Sequence, residues 1–262
     1  MKCVSIEEGS LVLYFYNSDK KWMIRVEKEK KLHTHLGIID VGATVGLEYG
    51  SHIYTNKDKK IFLLPPNIYD YVMKSQRTTQ IVYPKDYGYI AARTGLKNGS
   101  LVLEIGTGSA ALSTFLASIV MPGGHVHTFD VNEDFMSIAR KNLEKSGMND
   151  YVTQYKFDPE IISRLHGIDL VIIDLGDPWN YLDIVHPVMK SGGSVVCICP
   201  TMNQLEMLST HFFHCGFVDS EYVETFIRKI EAREGKTRPS MRMIGHTTYL
   251  GFARKVLKKM ES

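Results

Sequence analysis

The stretch VLEIGTGSAAL, residues 102–112, decides how this chain folds. Leu101 to Ile105 reads as a buried strand that delivers the chain to Gly106 and Gly108. Glycines permit a tight turn and let a ligand approach the backbone. A helix from about Ser109 then presents free N–H groups at its start. The dinucleotide fingerprint needs a third glycine, and this chain has Ala111 there. Taken alone, the loop is either a plain strand-to-helix turn or a nucleotide loop.

The sequence after the loop repeats the same alternation. His125 to Asp130 reads as a strand and Glu133 to Lys145 as a helix. Leu170 to Asp174 is another buried strand, closed by Gly176-Asp177-Pro178. A helix is expected around Tyr181 to Met189, then Gly192-Gly193 and the strand Ser194 to Cys199. Such alternation implies a parallel sheet with helices on both faces, an α/β fold of the doubly wound kind. After residue 216, two strands without a helix between them predict an antiparallel hairpin at the end of the sheet. Before residue 66 the pattern differs. Leu11 to Tyr16 and Trp22 to Val26 are short strands around an Asn17-Ser18-Asp19 turn, and frequent glycines follow. Short strands at this spacing predict a small barrel or sandwich. The expected domains are 1–66, a small β unit, and 67–262, the α/β unit. Asn67 is a candidate N-cap for a helix through Ile68, Tyr71 and Val72.

Composition excludes several classes. The chain has 262 residues, 44% hydrophobic, with a net charge of +2, so it can bury a core and is not a disordered polyelectrolyte. No apolar run approaches the roughly 18 residues of a membrane span, and MKCVSIEEGS is not a secretory signal. Cys3, Cys197, Cys199 and Cys215 lack CxxC spacing and read as reduced thiols of a cytoplasmic protein. His33 and His35 would share a strand face, but no further ligand is evident nearby, so no metal site is expected. The charge is uneven. Residues 225–259 hold ten basic residues (Arg228, Lys229, Arg233, Lys236, Arg238, Arg242, Arg254, Lys255, Lys258 and Lys259) against Glu231 and Glu234, a net +8. Such a stretch is a solvated surface or a contact area for phosphates.

The strand ends carry the chemistry. Asp130 lies 22 residues beyond Gly108, where an acid can accept ribose hydroxyls. Phe157-Asp158, after a third strand, is placed to reach an adenine ring and its amino group. Glu104, ahead of the glycines, suits a ligand ammonium. A diphosphate would favour a site without that acid. This combination points to S-adenosylmethionine, which bears an ammonium and a sulfonium. Asp174 ends the fourth strand and is aimed at the cleft, with Pro178 and Trp179 as an apolar wall. Asp86 is a candidate cap for the helix carrying Ile90. Tyr83, extended before Pro84, could stack on a base, which contributes roughly 1–3 kcal/mol.

YPKD (83–86), LEIGTGS (103–109), DLGDPW (174–179), PTMNQ (200–204), RPSMRMIGHT (238–247) and FARK (252–255) together resemble the TrmI family. These are class I, Rossmann-like methyltransferases acting on adenine N1 in the tRNA T-loop. The resemblance spans nearly the whole chain and includes a small N-terminal β-barrel-like domain and a mostly parallel seven-stranded sheet. It implies that Glu104, Gly106, Thr107, Gly108, Ser109 and Ala110 hold the methionine portion of S-adenosylmethionine. Asp130 with Val131 would hold the ribose, Phe157 and Asp158 the adenine, and Gln80 would border the cofactor. Asp174 matches the catalytic aspartate and also borders the cofactor; Tyr83 matches the target-base pocket. The family is homotetrameric and acts on tRNA position 58, some archaeal members also on 57. One departure is Gly176, where relatives often carry Pro or another side chain, which leaves the placement of Asp177 open. Two other readings stand beside this one. A protein-isoaspartate methyltransferase would share the core but not the N-terminal β domain. A non-catalytic tRNA-binding subunit would lack the cofactor loop, so cofactor binding by the isolated protein discriminates.

Overall fold

The structure is a computed structural model and describes residues 4–77 and 80–257. Cys3, Thr78, Thr79 and the basic tail from Lys258 onward lie outside the described residues. The chain forms two compact units, residues 1–74 and 75–262.

The first unit is strand-rich. Its strands are β1 (Leu11–Asn17), β2 (Lys20–Arg25), β3 (Lys31–Thr34), β4 (Gly37–Asp40), β5 (His52–Tyr54) and β6 (Lys60–Leu64). They pair antiparallel as a four-stranded sheet, β2-β1-β6-β5, and a separate ribbon, β3-β4. Ile6, Val12, Tyr14, Val26, Ile39, Val41, Ile61 and Leu63 fill the core between them. The Tyr14 hydroxyl meets Thr44 Oγ1 at 3.0 Å, which satisfies the one polar atom this large ring buries. Asn67 caps α1 (Ile68–Met73) in a reciprocal box with Asp70. Buried Asp70 also pairs with Lys21 of β2 at 2.8 Å, so α1 belongs to this unit, eight residues beyond the boundary expected at 66. His33 lies in β3 but His35 lies in the turn after it, 6.3 Å from the Trp22 ring, so the two do not share a strand face.

The second unit is the α/β body. Its elements are α2 (Pro84–Thr94), β7 (Leu101–Ile105), α3 (Ala111–Val120), β8 (His125–Asp130), α4 (Glu133–Ser146), β9 (Val152–Lys156), α5 (Pro159–Ser163), β10 (Ile168–Ile173), α6 (Leu182–Val185), β11 (Met189–Cys199), α7 (Met202–His214), β12 (Phe217–Val223), β13 (Ile230–Glu231), β14 (Arg238–Pro239) and β15 (Tyr249–Lys255). Seven strands form one sheet in the order β12-β15-β11-β10-β7-β8-β9. Only β15 runs against its neighbours. The central strands β7, β10 and β11 are buried on both faces, as helices on each side require. β7 is followed in sequence by β8 on one side, while β10 flanks it on the other, so the strand order reverses between β7 and β10. Ligands bind outside the carboxyl ends of strands at such a switch point.

Several sequence expectations change in detail. Helix α3 starts at Ala111, because Ala110 takes a left-handed conformation (φ 57°). The helix expected at 181–189 is instead a 3-10 turn (Pro178–Tyr181), the four-residue α6, and a second 3-10 turn (His186–Val188). Pro187 has no N–H to continue a helix. Strand β11 begins at Met189 rather than Ser194. Asp86 does not cap α2: Tyr83 is the N-cap, Pro84 the first helical residue, and Asp86 sits in the first turn. The expected hairpin exists, but β12 lies at the sheet edge and the small ribbon β13-β14 projects between it and β15. Among the described residues, no helix is long and apolar enough to cross a membrane.

Candidate active site

The glycine loop binds three strand ends together. Gly106 N–H donates to the Phe129 carbonyl at 2.8 Å, Thr107 N–H donates to the same carbonyl at 3.2 Å, and Asp174 N–H donates to the Ile105 carbonyl at 2.8 Å. Gly106 has φ +104°, and a Cβ there would lie 2.4 Å from the Asp174 carbonyl oxygen. Only glycine fits on both counts. The loop therefore brings Asp174 directly beside the glycine turn.

Acidic groups gather around this loop. Glu104 is buried, and its Oε2 accepts from Thr128 Oγ1 at 2.6 Å and from Ser113 Oγ. Burial raises its pKa to about 7, against the lowering by those two hydroxyls, with Asp174 and Asp130 adding to the rise. Asp174 is half-buried and, among the described residues, meets no side-chain hydrogen-bond or ion-pair partner. Burial first, then the Asp130 charge, raises its pKa to about 6. Asp130 accepts from Gly108 N–H at 2.9 Å through Oδ2 and from Asn132 N–H at 2.9 Å through Oδ1. It therefore braces the loop. This acid-rich cleft has no lysine or arginine ion-paired to Glu104 or Asp174 among the described residues. It fits a ligand that carries positive charge.

Of the other expected residues, Thr107, Ser109, Ala110, Val131, Phe157 and Asp158 follow the carboxyl ends of β7, β8 and β9. Thr107 Oγ1 meets Thr128 Oγ1 at 2.7 Å. Ser109 and Ala110 are buried and Val131 is exposed. Phe157 follows β9 with its N–H bonded to the Asp130 carbonyl at 2.9 Å, and its ring meets Tyr181 edge-on at 5.5 Å. Asp158 caps α5 by accepting from Glu160 N–H at 2.8 Å. Gln80 Nε2 reaches the Tyr83 hydroxyl at a long 3.5 Å, which pairs these two residues. Beyond Asp174, Pro178 is buried and Trp179 is half-buried. Gly176 makes no close contact where a Cβ would stand. Its carbonyl accepts from Gln204 Nε2 at 2.7 Å, and Asp177 Oδ2 accepts from Asn180 at 2.6 Å. The PTMNQ segment thus holds the DLGDPW turn.

Three further residues were not legible in the sequence. Asn142 of α4 donates to the carbonyls of Gln76 (2.8 Å) and Ser109 (2.9 Å) and accepts from Gln76 N–H (3.0 Å), so it ties the segment leading to Gln80 to the glycine loop. His246 is held between two acceptors, Glu224 Oε1 at 2.6 Å and the Pro200 carbonyl at 2.9 Å. Both ring nitrogens must donate, and the Glu224 bond raises its pKa. Thr225 reaches Asp86 across the sheet edge. Their signal was spacing within a motif (GHT for His246) or none, because the partners lie far away in sequence. Cys197 and Cys199 are buried in the core, and burial pushes the Cys199 thiol up to about 12. They are structural rather than reactive.

Comparisons with known proteins agree with this geometry. Over 90% of the chain, it is 32% identical to a tRNA (adenine(57)-N(1)/adenine(58)-N(1))-methyltransferase TrmI of Methanocaldococcus jannaschii, covering 91% of that protein. A crystal structure of a SAM-dependent O-methyltransferase from Thermotoga maritima matches 98% of this chain and 97% of its own, at 35% identity and TM-score 0.92. The tRNA (m1A58) methyltransferase TrmI of Aquifex aeolicus matches 97% of this chain and 100% of its own, at 30% identity and TM-score 0.85. Residues 60–238 match the family described as tRNA methyltransferase complex GCD14 subunit. With a half-buried carboxylate beside a glycine loop at the switch point of such a sheet, this chain belongs to the GCD14 family of tRNA methyltransferase subunits.

Proposed function

We propose that this chain is a tRNA methyltransferase that transfers a methyl group from S-adenosylmethionine to N1 of adenine 58 in the T-loop. The observation that carries the reading is Asp174, a half-buried carboxylate that meets no side-chain partner among the described residues, set against Gly106 at the switch point. When bound, S-adenosylmethionine supplies an electrophilic methyl group on a cationic sulfur. Glu104, Gly106, Thr107, Gly108, Ser109 and Ala110 would hold its methionine portion. Asp130 and Val131 would hold its ribose, Phe157 and Asp158 its adenine, and Gln80 would border it. Glu104 and Asp174, with no lysine or arginine ion-paired to them among the described residues, suit that positive charge.

Adenine N1 carries an in-plane lone pair and is neutral at pH 7, so no base has to remove a proton before attack. Methylation leaves a cationic ring with charge spread onto the exocyclic amino group. Above its pKa of about 6, Asp174 is a carboxylate that accepts from that amino group and offsets the developing charge. Removing such a partner commonly costs roughly 10²–10³ in turnover. Tyr83 offers an aromatic face for the base, and orienting N1 against the methyl supplies much of the remaining acceleration. The base must first leave its stack, at a few kcal/mol. Arg228, Lys229, Arg233, Lys236, Arg238 and Arg242 are all exposed and suit the tRNA phosphates. The assembly is a homotetramer, which native mass measurement tests.

The experiment is to incubate the protein with an unmodified tRNA transcript and methyl-labelled S-adenosylmethionine and to map the product nucleoside. The expected product is 1-methyladenosine at position 58, with turnover reduced 10²–10³-fold by Asp174→Ala. An O-methylated product, as the Thermotoga relative's description would suggest, overturns the acceptor. Near-normal turnover of Asp174→Ala with normal tRNA binding overturns its role.

A further inference from the structure

The first turn of α2 holds a buried charge that the reaction above does not use. Asp86 is fully buried. Its Oδ1 accepts from Lys85 Nζ at 2.8 Å and from Thr225 Oγ1 at 2.6 Å, while Lys85 Nζ also donates to Thr225 Oγ1 at 3.1 Å. Three side chains from segments about 140 residues apart thus close one triangle. Among the described residues, Asp86 Oδ2 is buried without a hydrogen-bond partner, which a purely structural ion pair rarely leaves.

The triangle sits between two features of the proposed site. On one side is Tyr83, whose carbonyl accepts from Asp86 N–H at 2.9 Å and whose following residue is the conformationally fixed Pro84. On the other side Thr225 is the last residue before the exposed basic excursion, 226–245. The excursion returns at His246, which is tied to Glu224 and to the Pro200 carbonyl at the end of β11. Both roots of the excursion are therefore pinned near the same point. Farther along α2, the Tyr89 hydroxyl donates to Glu221 Oε1 at 2.9 Å and Arg93 Nε donates to Glu221 Oε2. Residues 86, 89 and 93 share one helix face, so a polar stripe lays α2 along the edge strand β12.

We propose that Lys85, Asp86 and Thr225 form a positioning latch that holds Tyr83 in register with the root of the basic excursion, so that tRNA seated on the excursion presents its base at the correct height. The latch rests on the reading of Tyr83 as part of the target-base pocket. Its residues do not touch the reacting atoms; they act through Tyr83.

Thr225→Val removes the hydroxyl at nearly constant shape, and Thr225→Ser restores it. Both are assayed in the full chain with an unmodified tRNA transcript, following kcat, tRNA affinity, S-adenosylmethionine affinity and thermal midpoint. The latch predicts that Thr225→Val lowers kcat about tenfold, leaves both affinities within about threefold, and is rescued by Thr225→Ser. Thr225→Ala carries the same expectation should the valine variant fail to fold. A kcat within twofold of wild type overturns the latch. So does a parallel loss of kcat, cofactor affinity and thermal midpoint without rescue by serine, which marks a merely structural contact. Wild-type protein that makes no 1-methyladenosine overturns the functional reading itself, and the latch with it.

Discussion

Glu104→Gln separates the stability of this protein from its cofactor affinity, because the two change in opposite directions. The folded chain raises the Glu104 carboxyl from its ordinary 4.5 to about 7, chiefly by burial. An acid whose pKa is raised on folding binds more protons folded than unfolded between those two values. Stability is therefore lost as pH rises from about 4.5, and the loss is complete above about 7. At about 1.4 kcal/mol per unit the ionised carboxylate costs about 3 kcal/mol at pH 8. A neutral glutamine can still accept from Ser113 and Thr128, and it lacks that cost. Chemical denaturation at several values between pH 5 and pH 8.5, without cofactor, is the assay. The wild type should weaken by a few kcal/mol across this range, with Asp174 (3.8 to about 6) contributing in the same direction. Glu104→Gln should flatten the curve and be the more stable protein at pH 8. Calorimetry at pH 8 should show the reverse for S-adenosylmethionine, with affinity lower by about tenfold, since the variant lacks a negative charge facing a cationic ligand. Binding to the wild type at pH 6.5 should release protons, visible as a dependence of the heat on the buffer. Parallel denaturation curves for the two proteins would refute the claim that Glu104 is held near neutrality by burial.

Three further outcomes follow from the geometry and the charge distribution. Gly106→Ala would place a Cβ 2.4 Å from the Asp174 carbonyl at φ +104°, so it should cost at least about 2 kcal/mol and abolish cofactor binding. Gly176→Ala meets nothing within 4 Å and should leave thermal midpoint and cofactor affinity nearly unchanged; differential scanning fluorimetry with and without cofactor compares the pair. Binding of tRNA should weaken steeply with salt, and replacing Arg228, Arg233 or Arg242 singly by Gln should each reduce the log–log slope by about 1 in filter binding. An unchanged slope in all three would return the excursion to an ordinary solvated surface.

The α/β architecture was legible because its signal is local and repeated. Buried runs such as Val195 to Cys199 alternate with helical stretches, and β7, β8 and β10 each end at a glycine or an acid (Gly106, Asp130 and Asp174). Asp130, Asp158 and Asp174 could be named in advance because strand ends in a parallel sheet converge on one edge, whatever the details of the helices. Where helices begin and break was less accessible. Ala110 takes a left-handed conformation that its residue type does not announce, which moved the start of α3. The broken segment at 178–188 follows from Pro187 interrupting a stretch whose apolar residues suggested one helix.

What the linear order of residues determined, then, was the sheet, its carboxyl edge and the residue types collected there. Tertiary structure alone decided who meets whom. The environment of Glu104 depends on Ser113 and Thr128 arriving from different elements. The charge on His246 depends on Glu224 and the Pro200 carbonyl standing on either side of it. Asp86 reads in the sequence as a cap for the helix carrying Ile90, and it is instead buried against Lys85 and Thr225. Backbone preferences act over a few neighbours and can be read along the chain, whereas desolvation and hydrogen bonding act through space. Thr225 lies about 140 positions from Lys85 and Asp86, so only the folded chain brings them together.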